Sequence, residues 1–172
     1  MNSTENYHHK TFPSISSIII LIKPITWFPP MWAFLCGAVS SSNISLDTSI
    51  TLLIGLILSG PIVCGMSQAI NDWCDKEVDA INEPSRPIPS GKVPGSWGFW
   101  IAIIMSIIGI IVSWFLGFWG FFATIIAISC AWAYSAEPLR LKRSGIIGPG
   151  IVALCYEGLP WFTGVALSLI HI

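Results

Sequence analysis

The sequence predicts an all-α protein, a polytopic bundle of transmembrane helices. Hydrophobic residues make up 53% of the 172 residues and charged residues only 10%, with a mean hydropathy of +0.74. A soluble domain carries roughly 25% charged residues. The apolar residues also fall into long runs, and a membrane-spanning helix needs ~20 of them in succession. The formal net charge of −1 gives no indication of a nucleic-acid partner.

Four complete spans and the start of a fifth are visible. The complete spans are predicted at residues 18–39, 50–70, 97–116 and 119–134, and the fifth begins near residue 147. The third and fourth spans form one uncharged run that is too long for a single crossing, so Gly117 and Gly120 are predicted to mark the turn of a helical hairpin. Prolines predict kinks in the first two spans: Pro24, Pro29, Pro30 and Pro61.

The basic residues predict the topology. They fall into three groups, which are Lys10 and Lys23, then Lys76, Arg86 and Lys92, then Arg140, Lys142 and Arg143. With the predicted spans, all eight lie on one side, and the opposite loops contain neither Lys nor Arg. The positive-inside rule therefore places the N-terminus and both charged loops in the cytoplasm. Residues 1–17 are predicted to be a cytoplasmic N-terminal segment that precedes a membrane domain over residues 18–166.

An acidic stretch, NDWCDKEVDA, follows the second span directly. If the helix continues past residue 70, then Asn71, Asp75 and Asp79 recur every fourth residue with Asp72 beside them, and Glu77 points elsewhere. Grouped carboxylates near hydrocarbon repel one another and need compensation. Oxygen ligands of this kind suit Mg²⁺, which is typically bound by one or two carboxylates together with substrate phosphates. The alternative is a solvated helix end with no ligand.

Cations flank the acidic stretch at the same membrane edge. The proline-rich loop NEPSRPIPSG holds Arg86 close behind it, and EPLRLKRSG supplies Arg140, Lys142 and Arg143 after the fourth span. Carboxylates for a metal, cations for phosphate and an apolar bundle behind them indicate a lipid diphosphate as ligand. Departure of the diphosphate would leave an allylic cation in a dry site. Aromatic faces that could stabilise it are Tyr134, Tyr156 and Trp161, with packing as the alternative role for each.

The stretch NDWCDKEVDAINEPSRPIPSG resembles the first aspartate-rich motif, Asn-Asp-x-x-Asp-x-x-x-Asp, of the UbiA-type intramembrane prenyltransferases. Its flanks, KPITWFPPMWAFLCG and LCYEGLPWFTG, resemble the members of that family that prenylate chlorophyll-type pigments. The resemblance extends over about residues 22–165. Two residues depart from the family pattern: Cys74, where an aromatic residue is usual, and Glu137, where a proline is usual.

This resemblance implies an enzyme of the inner, photosynthetic membrane. It implies that the propionate of bacteriochlorophyllide a is esterified by geranylgeranyl or phytyl diphosphate, with Mg²⁺ as cofactor and other pigment-biosynthesis proteins as partners. The resemblance assigns catalytic roles to Asp72, Asp75 and Asp79. It makes Asn71 and the same aspartates the metal ligands, and it places the diphosphate at Arg86, Lys142 and Arg143.

Family members have about nine spans and a second aspartate-rich motif in the C-terminal half. The resemblance therefore implies that this chain is an N-terminal fragment with half a site, inactive alone. The last residues, LSLIHI, match the translation of a common sequencing-transposon adapter, so residues 167–172 are expected to be read-through.

Other functions stay open at this point. Within the same family, the acceptor could be chlorophyllide, a quinone precursor or haem. Outside the enzyme class, the chain could be a cation-binding transporter or a structural membrane subunit. Transport favours ionisable residues near mid-membrane. Apart from Lys23 at the start of the first span, Glu157 is the one charged residue inside a predicted span.

Overall fold

The computed structural model describes residues 12–41 and 49–169, and within these ranges it contains helices and turns but no strand. The predictions for residues 1–11, 42–48 and 170–172 lie outside the described residues. They concern most of the N-terminal segment with Lys10, the loop after the first span, and the end of the expected read-through. The all-α prediction is confirmed for the described part of the chain.

The first span is broken, as its prolines predict. Helix α1, Ile15–Leu21, is capped by the Ser14 side chain, and helix α2, Phe28–Ser40, follows a 3₁₀ turn at Pro24–Trp27. The two parts are bent by 45° at the break. The prolines stand in the first turns of these elements, where a missing N–H removes no helical hydrogen bond.

The second span is one continuous segment, Ser49–Cys74. It consists of helix α3, Ser49–Ile57, a π-helical turn at Leu58–Cys64 that contains Pro61, and helix α4, Gly65–Cys74. The expected unbroken helix through the acidic stretch is corrected at Asp75, whose backbone (φ −97°, ψ 4°) leaves the α-region. Helix α5, Lys76–Asn82, then resumes, so the acidic stretch lies on two short helices.

The third and fourth spans form the predicted hairpin. Helix α6, Trp97–Ser113, ends in a 3₁₀ turn at Trp114–Leu116, and helix α7, Gly117–Ser135, runs back. The reversal uses the positive φ of Gly117, 71°, which glycine adopts without steric cost. Trp132 Nε1 donates to Ser106 Oγ at 3.1 Å, a contact that requires antiparallel packing. Gly120 takes no part in the turn, because it already lies inside α7.

The fifth segment is longer than the sequence suggested. Helix α8, Ile147–Ala153, continues through a π-helical turn at Leu154–Gly158 into helix α9, Leu159–Leu169. Residues Ile147–Leu167 are long and apolar enough to cross a membrane. With the broken first span, Ser49–Cys74 and the two arms of the hairpin, the described residues hold five segments of an integral membrane protein.

Helices α2 and α9 pack backbone to backbone, and we call this contact the α2–α9 seam. A Cβ atom at Gly37 would lie 2.1 Å from the Trp161 carbonyl oxygen, and one at Gly164 would lie 2.2 Å from the carbonyl oxygen of Phe34. Small residues permit such approaches between membrane helices. Beside the seam, Phe34 and Leu167 belong to an apolar cluster whose other buried members are Leu58 and Leu116.

A second apolar cluster supports the charged end of the bundle. Its buried members come from α1, from α4, from the loop before α6, and from α6 and α7: Leu21, Met66, Ala69, Ile70, Val93, Ile101, Ala102, Ile128 and Ala131. Because Ile70 directly precedes the acidic stretch, this cluster fixes the position of the first acidic turn.

Candidate active site at the charged rim

The acidic side chains share a face across the break between α4 and α5. Asp72 and Asp79 are buried, with 1% and 7% of their surface exposed, and Asp75 is half-buried between them. Glu77 is exposed, as its position off that face predicts. A carboxylate at 1% exposure needs a charged partner, because burial strongly disfavours an isolated charge.

Two cations meet the buried aspartates. Lys23, at the break in the first span, places Nζ 2.7 Å from Asp72 Oδ1. Arg86, from the proline-rich loop, places Nη1 2.7 Å from Asp79 Oδ2 and 3.6 Å from Asp72 Oδ1. The loop therefore holds Arg86 behind the acidic stretch, where the sequence placed it, and Arg86 joins the two buried carboxylates.

Two further cations meet Asp75. Arg140 Nη2 lies 2.7 Å from its Oδ1, and Lys142 Nζ lies 2.5 Å from its Oδ2. Lys142 also donates to Asn71 Oδ1 at 3.0 Å. These contacts form two groups on the acidic stretch, one at Asp72 and Asp79 and one at Asp75. We call the two groups together the charged rim: Lys23, Asn71, Asp72, Asp75, Asp79, Arg86, Arg140 and Lys142. The excess of positive charge suits an anionic ligand.

Backbone strain coincides with the charged rim. Among the described residues, the non-glycine residues with positive φ are Lys23 at 47° and Arg140 at 36°. Such conformations typically cost 1–3 kcal/mol each and persist where the surroundings enforce them. Both residues are cations that contact the acidic stretch, Lys23 at Asp72 and Arg140 at Asp75. The strained backbone therefore occurs where two positive side chains are directed at the carboxylates.

The guanidinium groups of Arg86 and Arg140 stay charged at the charged rim. Burial by itself lowers the pKa of Arg86, but the hydrogen bond to Asp79 and the charges of Asp72 and Asp79 outweigh it and raise the pKa above its ordinary value. The hydrogen bond to Asp75 raises the pKa of Arg140. Neither arginine is therefore a proton donor or acceptor near neutral pH, and both act as fixed positive charges.

The rim oxygens fit a metal ion only together with a phosphate ligand. Among the described residues, no three His, Cys, Asp or Glu side chains converge as a metal-binding group. Each carboxylate is paired with a cation instead. The buried Asp72 Oδ2 has no hydrogen-bond partner in the described part of the chain, and with Asn71 Oδ1 and Asp75 it offers hard oxygen ligands. This donor set fits Mg²⁺ only where phosphate oxygens complete the coordination.

The structure does not bring every predicted site residue to the charged rim. Arg143 instead pairs with Glu137 at 3.0 Å, and both side chains are more than half exposed. Trp161 packs on the α2–α9 seam and is half-exposed, away from the rim.

Sequence reasoning missed Lys23 and undervalued Arg140 as partners of the acidic stretch. For Lys23 the signal was a lone cation directly before a proline inside an apolar run, and for Arg140 it was the spacing of two residues from Lys142.

A pocket of about 200 Å³ lies between α4, α7 and α8, directly behind Asn71. Tyr134 and Tyr156, two of the three aromatic residues named from the sequence, both line it. Gln68 Nε2 donates to Tyr156 Oη at 2.8 Å and thereby fixes the ring. The pocket joins the charged rim, at Asn71, to an apolar interior.

This chain belongs to the UbiA prenyltransferase family, whose sequence profile matches residues 26–170. It is 60% identical over 160 residues to the bacteriochlorophyll synthase 33 kDa chain of Rhodobacter capsulatus, a match that covers 93% of this chain and 53% of that protein. It is 47% identical to the bacteriochlorophyll synthase 34 kDa chain of Chloroflexus aurantiacus, with 86% and 48% covered.

More distant similarities are found in sequence and in structure. The chloroplastic chlorophyll synthase of Oryza sativa subsp. japonica is 37% identical, with 86% of this chain and 42% of that protein covered. A solved structure from work on digeranylgeranylglyceryl phosphate synthase superposes with a TM-score of 0.78 at 26% identity, and covers 88% of this chain and 52% of that one. The chain spans about half the length of the curated relatives it matches.

Proposed function

We propose that the complete protein containing these residues is a prenyltransferase of bacteriochlorophyll biosynthesis. It esterifies the propionate of bacteriochlorophyllide a with geranylgeranyl or phytyl diphosphate and releases diphosphate. The observation that carries the proposal is the charged rim, in which four cations converge on three carboxylates at the mouth of an apolar pocket. The acceptor is taken from the bacteriochlorophyll synthases, to which the chain is more similar than to chlorophyll synthase.

The rim residues bind the diphosphate by exchanging partners. Lys23, Arg86, Arg140 and Lys142 would donate to the phosphate oxygens, and Asn71, Asp72, Asp75 and Asp79 would then be free to hold Mg²⁺. When bound, Mg²⁺ neutralises the charge that develops on the departing diphosphate. Because the cations already stand at the site, little reorganisation is needed when that charge forms.

The chemical step is a substitution at the allylic carbon. The bond between that carbon and the diphosphate oxygen breaks, and the electron pair leaves with the diphosphate. A propionate oxygen of the acceptor forms the new ester bond, so the reaction needs no proton transfer. The rings of Tyr134 and Tyr156 face the pocket and stabilise the cationic carbon, and the apolar walls exclude water that would otherwise attack it.

The membrane orientation is part of the proposal. Cations from the first span, from the loop after α5 and from the loop after α7 all pair with carboxylates of the same acidic stretch. This supports a single basic side, which the positive-inside rule assigns to the cytoplasm.

The proposal is tested with membranes that contain the complete gene product, bacteriochlorophyllide a and geranylgeranyl diphosphate, with the ester measured by chromatography. We expect Asp75→Asn to lower the rate at least 100-fold, because Arg140 and Lys142 lose their charged partner. Glu77→Gln is the matched control, since this neighbouring acid is exposed and off the rim, and it should keep the wild-type rate. A parallel assay with chlorophyllide a should give slower esterification.

Absence of ester, or an undiminished rate in Asp75→Asn, would overturn the assignment. Faster esterification of chlorophyllide a would keep the reaction but change the acceptor.

A further inference from the structure

A second cavity opens beside the pocket behind Asn71, and we call it the outer groove. It is an open groove of about 630 Å³ between the end of α7, the 3₁₀ turn at Leu141–Arg143 and helix α8. Ligand sites for small molecules typically occupy 300–1,000 Å³. The outer groove is therefore large enough for a bulky substrate, whereas the pocket of about 200 Å³ behind Asn71 suits a narrow chain.

The two cavities meet at two tyrosines. Tyr134 and Tyr156 line both, and Lys142 lines the outer groove while its Nζ contacts Asn71 and Asp75 of the charged rim. A ligand in the outer groove would thus lie next to a ligand in the pocket behind Asn71. That is the arrangement required for two substrates that react with each other.

Glu157 is the unusual residue of the outer groove. It lies midway along the segment Ile147–Leu167, on the π-helical turn Leu154–Gly158, and its side chain is exposed. No ion pair or hydrogen bond engages its carboxylate among the residues that the structure describes. A charge at mid-membrane is disfavoured by about 3 kcal/mol on insertion scales, so such residues face a polar site rather than lipid. Single π-helical turns are frequent at functional sites.

The two charges stand at opposite ends of the outer groove. A Cβ atom at Gly148 would lie 3.3 Å from Lys142 Cα, and Glu157 follows nine residues later, roughly 13 Å along the helix axis. A negatively charged acceptor group is repelled by Glu157 and attracted by Lys142, so it must lie at the rim end. Glu157 then meets a different part of the same ligand, and its hard oxygen suits a magnesium ion.

We propose that the outer groove binds the acceptor, with Lys142 at its propionate and Glu157 as an axial oxygen ligand to the central magnesium of the tetrapyrrole. This inference rests on the proposed function and names the acceptor site within it. It also explains why a carboxylate is kept in mid-membrane. The acceptor's own magnesium is the partner of Glu157, and it is distinct from the metal at the diphosphate.

The test measures binding of the acceptor alone, without prenyl diphosphate. The complete protein is titrated with bacteriochlorophyllide a and, separately, with the same pigment lacking magnesium, and the visible absorption bands are followed because they respond to axial ligation. We expect the wild type to prefer the magnesium form about tenfold. Glu157→Gln and Glu157→Leu should reduce that preference to about one and remove the ligation-dependent band shift. The KM for prenyl diphosphate should stay unchanged, as it should in the control Glu77→Gln.

The outcomes separate the two proposals. If the wild type binds and esterifies the pigment but both Glu157 variants keep the magnesium preference, the outer-groove inference is overturned and the proposed function stands. The inference also fails if the variants lose thermal stability and both substrates equally, since Glu157 would then pair with a cation elsewhere in the complete protein. If the wild type neither binds nor esterifies the pigment, the proposed function itself fails.

Discussion

The α2–α9 seam and the charged rim hold the same bundle together in opposite ways. In the seam, glycines let two backbones touch, so that a Cβ atom at Gly164 would lie 2.2 Å from a carbonyl oxygen. In the rim, long side chains reach across from separate segments, and Lys23 Nζ meets Asp72 Oδ1 at 2.7 Å. The seam is rigid because nothing in it can move aside. The rim is held by charged pairs of flexible side chains, and under the proposed function these pairs are exchanged when the diphosphate binds.

The sharpest way to break this contrast is Gly164→Val. The added atoms would overlap the Phe34 backbone, which cannot rotate away, so we expect a loss of about 3 kcal/mol or more in the free energy of unfolding. Thermal unfolding in detergent and the yield of monodisperse protein would measure it. Gly150→Ala is the matched control, because a Cβ there has open space within 4 Å. Equal melting temperatures for the two variants would show that the seam is not tightly packed.

A smaller loss is expected from Asp72→Ala in the rim. The change leaves Lys23 without its buried partner, but the Lys23 side chain is 26% exposed, so water compensates. Arg86 loses only its longer contact, at 3.6 Å, and keeps its hydrogen bond to Asp79. We expect a destabilisation of about 2 kcal/mol, below the value for a fully buried pair. Glu77→Ala, a change of an exposed acid on the same stretch, should be neutral. A melting temperature for Asp72→Ala equal to that of Glu77→Ala would contradict the burial argument.

The smallest effect tests which cations belong to the rim. Arg143 pairs with Glu137 at the surface, and exposed pairs contribute at most about 1 kcal/mol. We expect Arg143→Gln to change the KM for prenyl diphosphate by less than twofold. Arg140→Gln, in contrast, removes a side chain that is 17% exposed and bound to Asp75, so it should raise that KM at least tenfold. A larger increase in KM for Arg143→Gln than for Arg140→Gln would support the sequence-based prediction that Arg143 contacts the diphosphate.

Local pattern predicted much of the fold and half of the rim. Apolar runs located the spans, the prolines located the break before α2, and helical spacing placed Asp72, Asp75 and Asp79 on one face with Glu77 off it. These features depend on residues within a few turns of one another. The break at Asp75 did not follow from spacing, because a single residue leaving the α-region changes no hydrophobic pattern.

The contacts between distant segments could not be derived in this way. Lys23 and Asp72 are far apart in the sequence, and only the packing of the first span against α4 brings them together. The hairpin turn was placed correctly at Gly117 but extended in error to Gly120, since glycine serves equally for turns and for close packing. The assignments of metal ligands and diphosphate contacts stay predictions.

The α2–α9 seam joins two helices that are synthesised at different times. Its two helices are made roughly 120 residues apart, so at 5–20 residues per second the first waits in the membrane on the order of 10 s for its partner. During that interval the face of α2 around Gly37, which α9 covers in the folded protein, is exposed to lipid or to insertion factors. Helix α2 is therefore inserted well before the helix that covers its glycine face has been made.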